Sequence, residues 1–172
     1  VALVDLRSRR VVGSFSAGTV TRADADTADD DVVAFDDPLT VPREPDAVQW
    51  TRDGHLGTAD EGDLAPEPSG GRGWTVLSTS GQVLFSSGGS AERALDDAGL
   101  HPDSHSDDKG AEFEGAEVAP VRGATYAFIG SERGDAVLVY TSAASARRSC
   151  CRCCPPVPPR RGCSPSPSGS CS

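Results

Sequence analysis

Short apolar runs joined by tight polar turns recur along residues 1–140, and a chain built this way must pair its runs as antiparallel strands. Ala2–Asp5 and Val11–Phe15 flank the polar turn Arg7–Arg10. Ala47–Trp50 turns at Asp53-Gly54 into His55–Ala59, and Asp-Gly is a strong hairpin signal because its backbone tolerates positive φ. Trp74–Leu77 and Val83–Phe85 follow, with Gly81 in the turn. Ala116–Pro120 turns near Gly123 into Thr125–Gly130, and Ala136–Tyr140 is a last run of the same kind.

The order reads as two strands, then four, then three and a missing fourth. Four-stranded antiparallel sheets in series are the units of a β-propeller. The expected fold class is therefore all-β: a partial β-propeller of fewer than two complete blades plus a half blade. A β-sandwich of about eight strands is the plainer alternative. Val4 to Val76 spans 72 residues and Val76 to Val137 spans 61. A compact blade needs about 40–45, and the excess is assigned to polar loops over 16–44 and 86–109. Within the second loop, Ala91–Ala98 has the composition of a short helix with Ser90 as N-cap. Each blade buries its faces against its neighbours, so a fragment with open faces is expected to aggregate or be degraded.

Composition divides the chain after Tyr140. Residues 1–140 hold all 26 acids and 11 of the 16 basic residues, a net −15. That balance argues against nucleic acid and anionic membranes, which need clustered Lys and Arg. No run approaches the roughly 18 apolar residues of a membrane span. The chain has no Met and starts at Val1 inside an apolar run, which reads as a fragment or a mis-set start. Residues 141–172 hold all 6 Cys and no acid. Their C-x-C-C spacing does not fit a zinc ribbon. Restoring one G after the Tyr140 codon in a G/C-rich back-translation gives a strand, a turn and a Pro-Glu-Gly segment. We therefore read 1–140 as the partial propeller and 141–172 as an out-of-frame tail, expected to be disordered.

The segments Pro42–Asp46 (PREPD), Asp60–Asp63 (DEGD), Ser104–Gly115 (SHSDDKGAEFEG) and Tyr126–Tyr140 (YAFIGSERGDAVLVY) resemble the choice-of-anchor I family. The family pattern has Asn where this chain has Asp60, Arg for His105 and Pro for Ala111. The resemblance spans residues 1–140, and the restored Pro-Glu-Gly segment is the next element the family has. It implies a β-propeller on a secreted or cell-surface protein. Bacterial members often carry an alkaline phosphatase or esterase-like label. The remaining propeller blades are then missing from this chain.

Carboxylates are the only concentrated chemistry. Glu44, Asp46, Glu112, Glu114 and Glu117 sit at or near the start of a blade's first strand, the strand that lines a propeller channel. Glu61, Asp63, Asp107 and Asp108 fall in loops at one rim. Hard oxygens in such number suit Ca²⁺. The expected metal-binding set is Glu44, Asp46, Glu61, Asp63, Asp107, Asp108, Glu112 and Glu114. The plain alternative is solvated acids serving turns. The run Asp24, Asp26, Asp29, Asp30, Asp31 is not an EF-hand, since Asp29 stands where the loop glycine belongs, and it reads as a solvated loop. His55, His101 and His105 read as surface residues, and Lys109 as an ion-paired loop lysine. Trp50 and Trp74 read as core. No G-x-S-x-G elbow is present. Two functions follow. One is a non-catalytic binding, adhesion or scaffold unit. The other is a Ca²⁺-dependent phosphatase, phytase or esterase-like hydrolase working through the channel carboxylates.

Overall fold

The computed structural model describes residues 1–62 and 68–141, together with the backbone of 152–154. Strands β1 (Ala2–Asp5) and β2 (Arg10–Ser14) form one hairpin, and β3 (Thr19–Ala25) and β4 (Asp37–Pro42) form another. Then β5 (Ala47–Trp50), β6 (Leu56–Asp60), β7 (Gly73–Leu77) and β8 (Val83–Ser86) make a four-stranded antiparallel meander. Helix α1 (Ser90–Asp97) and a 3₁₀ turn (Asp103–His105) lead to β9 (Phe113–Val121), β10 (Ala124–Ser131) and β11 (Ala136–Thr141). The fourth place, beside β11, is taken by the three residues of β12 (Arg152–Cys154). The fold is all-β apart from its short helices, with in-line meanders like those of a propeller. The rest of the tail, and with it the expectation of disorder, lies outside the described residues.

Turn chemistry fixes the registers. Arg122 (φ 50°) and Gly123 (φ 88°) make the two-residue link of β9–β10, the doubly left-handed geometry that matches strand twist. At the Asp53-Gly54 turn, Thr51 N–H donates to the His55 carbonyl at 2.8 Å.

The region 16–44, expected as a polar loop, is instead the β3–β4 hairpin. Val20, Leu39 and Val41 point inward while Thr19, Thr21 and Thr40 alternate outward. The two prolines of β4 are tolerated because a two-stranded sheet is all edge. The expected helix is present one residue earlier than predicted. Its N-cap is Gly89, not Ser90, whose hydroxyl donates back to the Ser87 carbonyl at 2.6 Å.

The main core lies between the two four-stranded sheets and α1. Trp74, Leu95, Phe113, Ile129, Leu138 and Tyr140 are its large members. Trp74 sits 4.9 Å from the Phe85 ring and 5.0 Å from Tyr140, centroid to centroid. Trp50 corrects the sequence reading: it is 54 % exposed, on the edge strand β5. Ala25, Leu39 and Val41 form a separate small core.

Candidate functional site: an acidic rim

One local device is used twice to build the rim. Glu44 (φ 46°) and Glu112 (φ 45°) are left-handed residues just ahead of β5 and β9. The Glu44 carbonyl accepts the Gly62 N–H at 3.3 Å, and the Glu112 carbonyl accepts the Glu132 N–H at 2.9 Å. Each thus clips the start of a first strand to the segment leaving the second. Two residues on, Asp46 and Glu114 repeat the acidic character. Glu61 is held by a backbone crossing: a Cβ on Gly70 (φ 72°) would overlap the Glu61 carbonyl, so only glycine fits there.

The motif residues Arg43 and Asp60 serve this scaffold. Buried Arg43 donates from Nη1 to the carbonyls of Ala17 (3.0 Å) and Thr19 (2.9 Å), and from Nε to Thr75 Oγ1 (3.2 Å). Asp60 accepts from Thr58 Oγ1 at 2.7 Å and Thr75 Oγ1 at 2.5 Å. Burial pushes its carboxyl up to about 6, against the two hydroxyls and the nearby Arg43 charge. Arg72, fully buried, donates to the carbonyls of Asp26 (2.7 Å), Ser106 (2.8 Å) and Asp108 (2.9 Å). It pins the 106–108 loop and thereby places Lys109 and Glu112. Burial lowers the Arg72 pKa, opposed chiefly by Glu92.

At the rim, one oxygen each from Glu61, Glu112 and Glu114 lie within 4.8 Å of one another. Cations already stand among them. Lys109 Nζ is 2.6 Å from Glu61 Oε1 and 3.8 Å from Glu112 Oε1, and Arg133 Nε is 3.0 Å from Glu112 Oε2. Lys109 is ion-paired as expected, and its pKa is raised, first by the Glu61 hydrogen bond. Among the described residues no ion pair reaches Glu114, though its charge acts on Arg133. Glu114 shares a hydrogen bond with Glu132, and that bond, then partial burial, then the charges of Glu132, Glu61 and Asp46, push it up to about 7. Glu132 is correspondingly lowered by the same bond and by Arg133. Both line a cavity of about 440 Å³ with Gly115, Gly130, Ser131 and Asp135.

Of the residues expected to bind metal, Glu61, Glu112 and Glu114 converge, with Asp46 in electrostatic range of Glu114. Glu44 contributes through its carbonyl. Asp108 meets Glu112 on the other side, in a group with His105. Asp107 is exposed and belongs to neither group. Asp63 lies outside the described residues. Glu132, Arg133 and Asp135 were missed. They follow β10 in a Ser-Glu-Arg-Gly-Asp turn that could have been read as rim by analogy with Asp60-Glu61-Gly62.

Two further readings are corrected. The acidic run is not wholly solvated: Asp26 is buried, accepts from Ser106 Oγ at 2.9 Å, and is raised in pKa by that burial. The His101 ring is buried, not at the surface. Among the described residues no hydrogen bond joins a hydroxyl to an imidazole.

No helix among the described residues is long and apolar enough to cross a membrane. No curated protein and no solved structure matches the chain. Residues 67–145 match the family model of the Choice-of-anchor I domain. The match takes in β7 to β11 and leaves the PREPD and DEGD segments outside it. A choice-of-anchor domain points to association with the cell surface. Over residues 67–145 the chain is therefore similar to the Choice-of-anchor I domain, the family its motifs resemble.

Proposed function

We propose that this chain is part of a secreted or surface-displayed β-propeller with a binding or scaffold role, and that its acidic rim takes Ca²⁺. The observation that carries the reading is the convergence of Glu61, Glu112 and Glu114 to within 4.8 Å. The donors are all hard oxygens, and Asp46 and Glu132 add charge beside them. Ca²⁺ accepts 6–8 oxygens in irregular geometry, which suits a rim assembled from several loops. The fit meets an obstacle, since Lys109 already pairs with Glu61 and Glu112, and Arg133 with Glu112. Ca²⁺ must displace that ammonium or bind on the Glu114–Glu132 side.

Binding is favoured over hydrolysis because the rim offers carboxylates without an activated nucleophile. Calorimetry with Ca²⁺ on the full chain tests the proposal. Heat that saturates below millimolar Ca²⁺ and is lost in Glu114→Gln supports it, and no heat at millimolar Ca²⁺ removes the metal from the reading. Chelator-sensitive hydrolysis of p-nitrophenyl phosphate would replace the scaffold role with the phosphatase one.

A further inference from the structure

We infer that His105, Asp108 and Glu112 form a site for a first-row transition dication of the Zn²⁺ class, a second cation site that meets the rim at Glu112. One ligand atom from each of the three lies within 4.8 Å of the other two. Ligands on a tetrahedral Zn²⁺ stand about 3.4 Å apart, given bonds of roughly 2.1 Å to nitrogen and oxygen. Rotation about the side-chain bonds closes that difference. The donor set separates this group from Glu61, Glu112 and Glu114. Imidazole nitrogen suits Zn²⁺ and its neighbours in the first row, whereas Ca²⁺ and Mg²⁺ take oxygen. Three protein ligands leave a fourth position for water.

An orphaned oxygen points to an occupant. Asp108 Oδ1 is buried and has no hydrogen-bond partner among the described residues. A carboxylate oxygen enclosed without a donor is costly, and a bound cation removes that cost. Glu112 is 2 % exposed, and His105 and Asp108 are half-buried. Arg133 Nε fixes Glu112 Oε2 at 3.0 Å, the kind of outer contact that orients a ligating carboxylate. Lys109 Nζ is 3.8 Å from Glu112 Oε1, too far for a hydrogen bond, and is drawn to Glu61 at 2.6 Å. These two cations weaken the pull on a dication, and the bond to the His105 nitrogen offsets that loss.

The backbone holds the three residues together before any ion arrives. They come from one stretch, at i, i+3 and i+7. The His105 carbonyl accepts the Asp108 N–H at 3.2 Å and the Gly110 N–H at 2.7 Å, which curls the turn. Gly110 has no room for a Cβ beside Glu92 and Arg72, and Glu112 (φ 45°) is left-handed, so the chain doubles back. Arg72 Nη2 holds the Ser106 and Asp108 carbonyls, and Ser106 Oγ donates to Asp26 at 2.9 Å. A loop fixed this firmly has little order left to gain on binding. The site does not rest on Ca²⁺ at the rim, since only Glu112 is common to both groups.

The test is calorimetry of Zn²⁺ into the untagged full chain with its six cysteines alkylated, because thiolates would take the metal first. Wild type should bind one Zn²⁺ with heat that saturates below millimolar. His105→Ala should weaken binding by about 100-fold or more, since even an outer-shell partner is worth about 10–100-fold. Asp108→Asn should weaken it too, and Glu114→Gln should leave it unchanged. Absence of saturable heat overturns the inference, as does heat that His105→Ala does not alter. A loss in Glu114→Gln as large as that in His105→Ala also overturns it, by putting the ion in the oxygen-only group. Should His105→Ala fail to fold, ring ¹⁵N shifts of the wild type decide. A His105 nitrogen that moves on addition of Zn²⁺ while those of His55 and His101 stay supports the site, and one that does not move overturns it.

Discussion

Three residues set the local rules. Buried Arg72 ties three backbone carbonyls from two loops. Arg72→Lys keeps the charge but cannot hold the same fork, and Arg72→Met takes the guanidinium donors from the Asp26 and Ser106 carbonyls, while that of Asp108 keeps the Ser69 N–H. We expect Arg72→Met to destabilise by about 3–5 kcal/mol and Arg72→Lys by less, read from urea midpoints. Asp60 carries a second expectation. Its folded carboxyl is raised from 3.8 to about 6, so the folded state binds the proton more tightly. Stability should rise as pH falls from about 7 to about 4, by up to about 3 kcal/mol. Asp60→Asn should flatten that dependence, and an unchanged slope would refute the assignment. Lys109 carries a third. If Ca²⁺ competes with its ammonium, Lys109→Gln should tighten Ca²⁺ binding by about tenfold in calorimetry, since one like charge leaves the site. Wild-type affinity should also rise between pH 6 and 8, as the carboxyl of Glu114, pushed up to about 7, loses its proton.

At the scale of elements, the strands were legible where apolar runs met turn residues. Ala47–Trp50 carries its residues directly, and Arg122-Gly123 marks its hairpin by chemistry alone. The β3–β4 hairpin was not legible. Arg22 and Asp24 sit in β3 because Glu92 and Arg93 of α1 answer them, a tertiary pairing that no local pattern announces. His101 escaped for the same reason, since a buried imidazole reads as core only once its carboxylate is known to lie beside it. Trp50 failed the other way: alternation placed it in a strand, but not on an edge strand. The acidic rim was half visible, because spacing marked Glu112 and Glu114 but not the Glu132 that meets them across the sheet. The β9–β10 link gives an element-scale expectation. Gly123→Val puts a β-branched residue at φ 88° and should cost roughly 1–3 kcal/mol, read as a lowered thermal midpoint.

At the scale of the whole molecule, apolar surface remains uncovered. Val4, Leu6, Val11 and Val12 of the first hairpin are exposed, Leu6 by 86 %. Val83, Leu84 and Phe85 on β8 are exposed as well. Sheets of a stacked array bury such faces against their neighbours. The chain in isolation should self-associate at about 10 μM and above, visible by light scattering after size exclusion. Val11→Lys with Val12→Lys should reduce that association, and a monodisperse wild-type monomer would count against it.

The left-handed glutamates ahead of β5 and β9 carry a consequence of another kind. Because the same backbone clip recurs with an acid two residues on, negative charge at the rim is issued once per repeat. The potential at the mouth of an array built on this rule therefore scales with the number of blades. The field that a cation or any other charged partner meets there is then a collective quantity, changed by adding or deleting a repeat as well as by altering a single side chain.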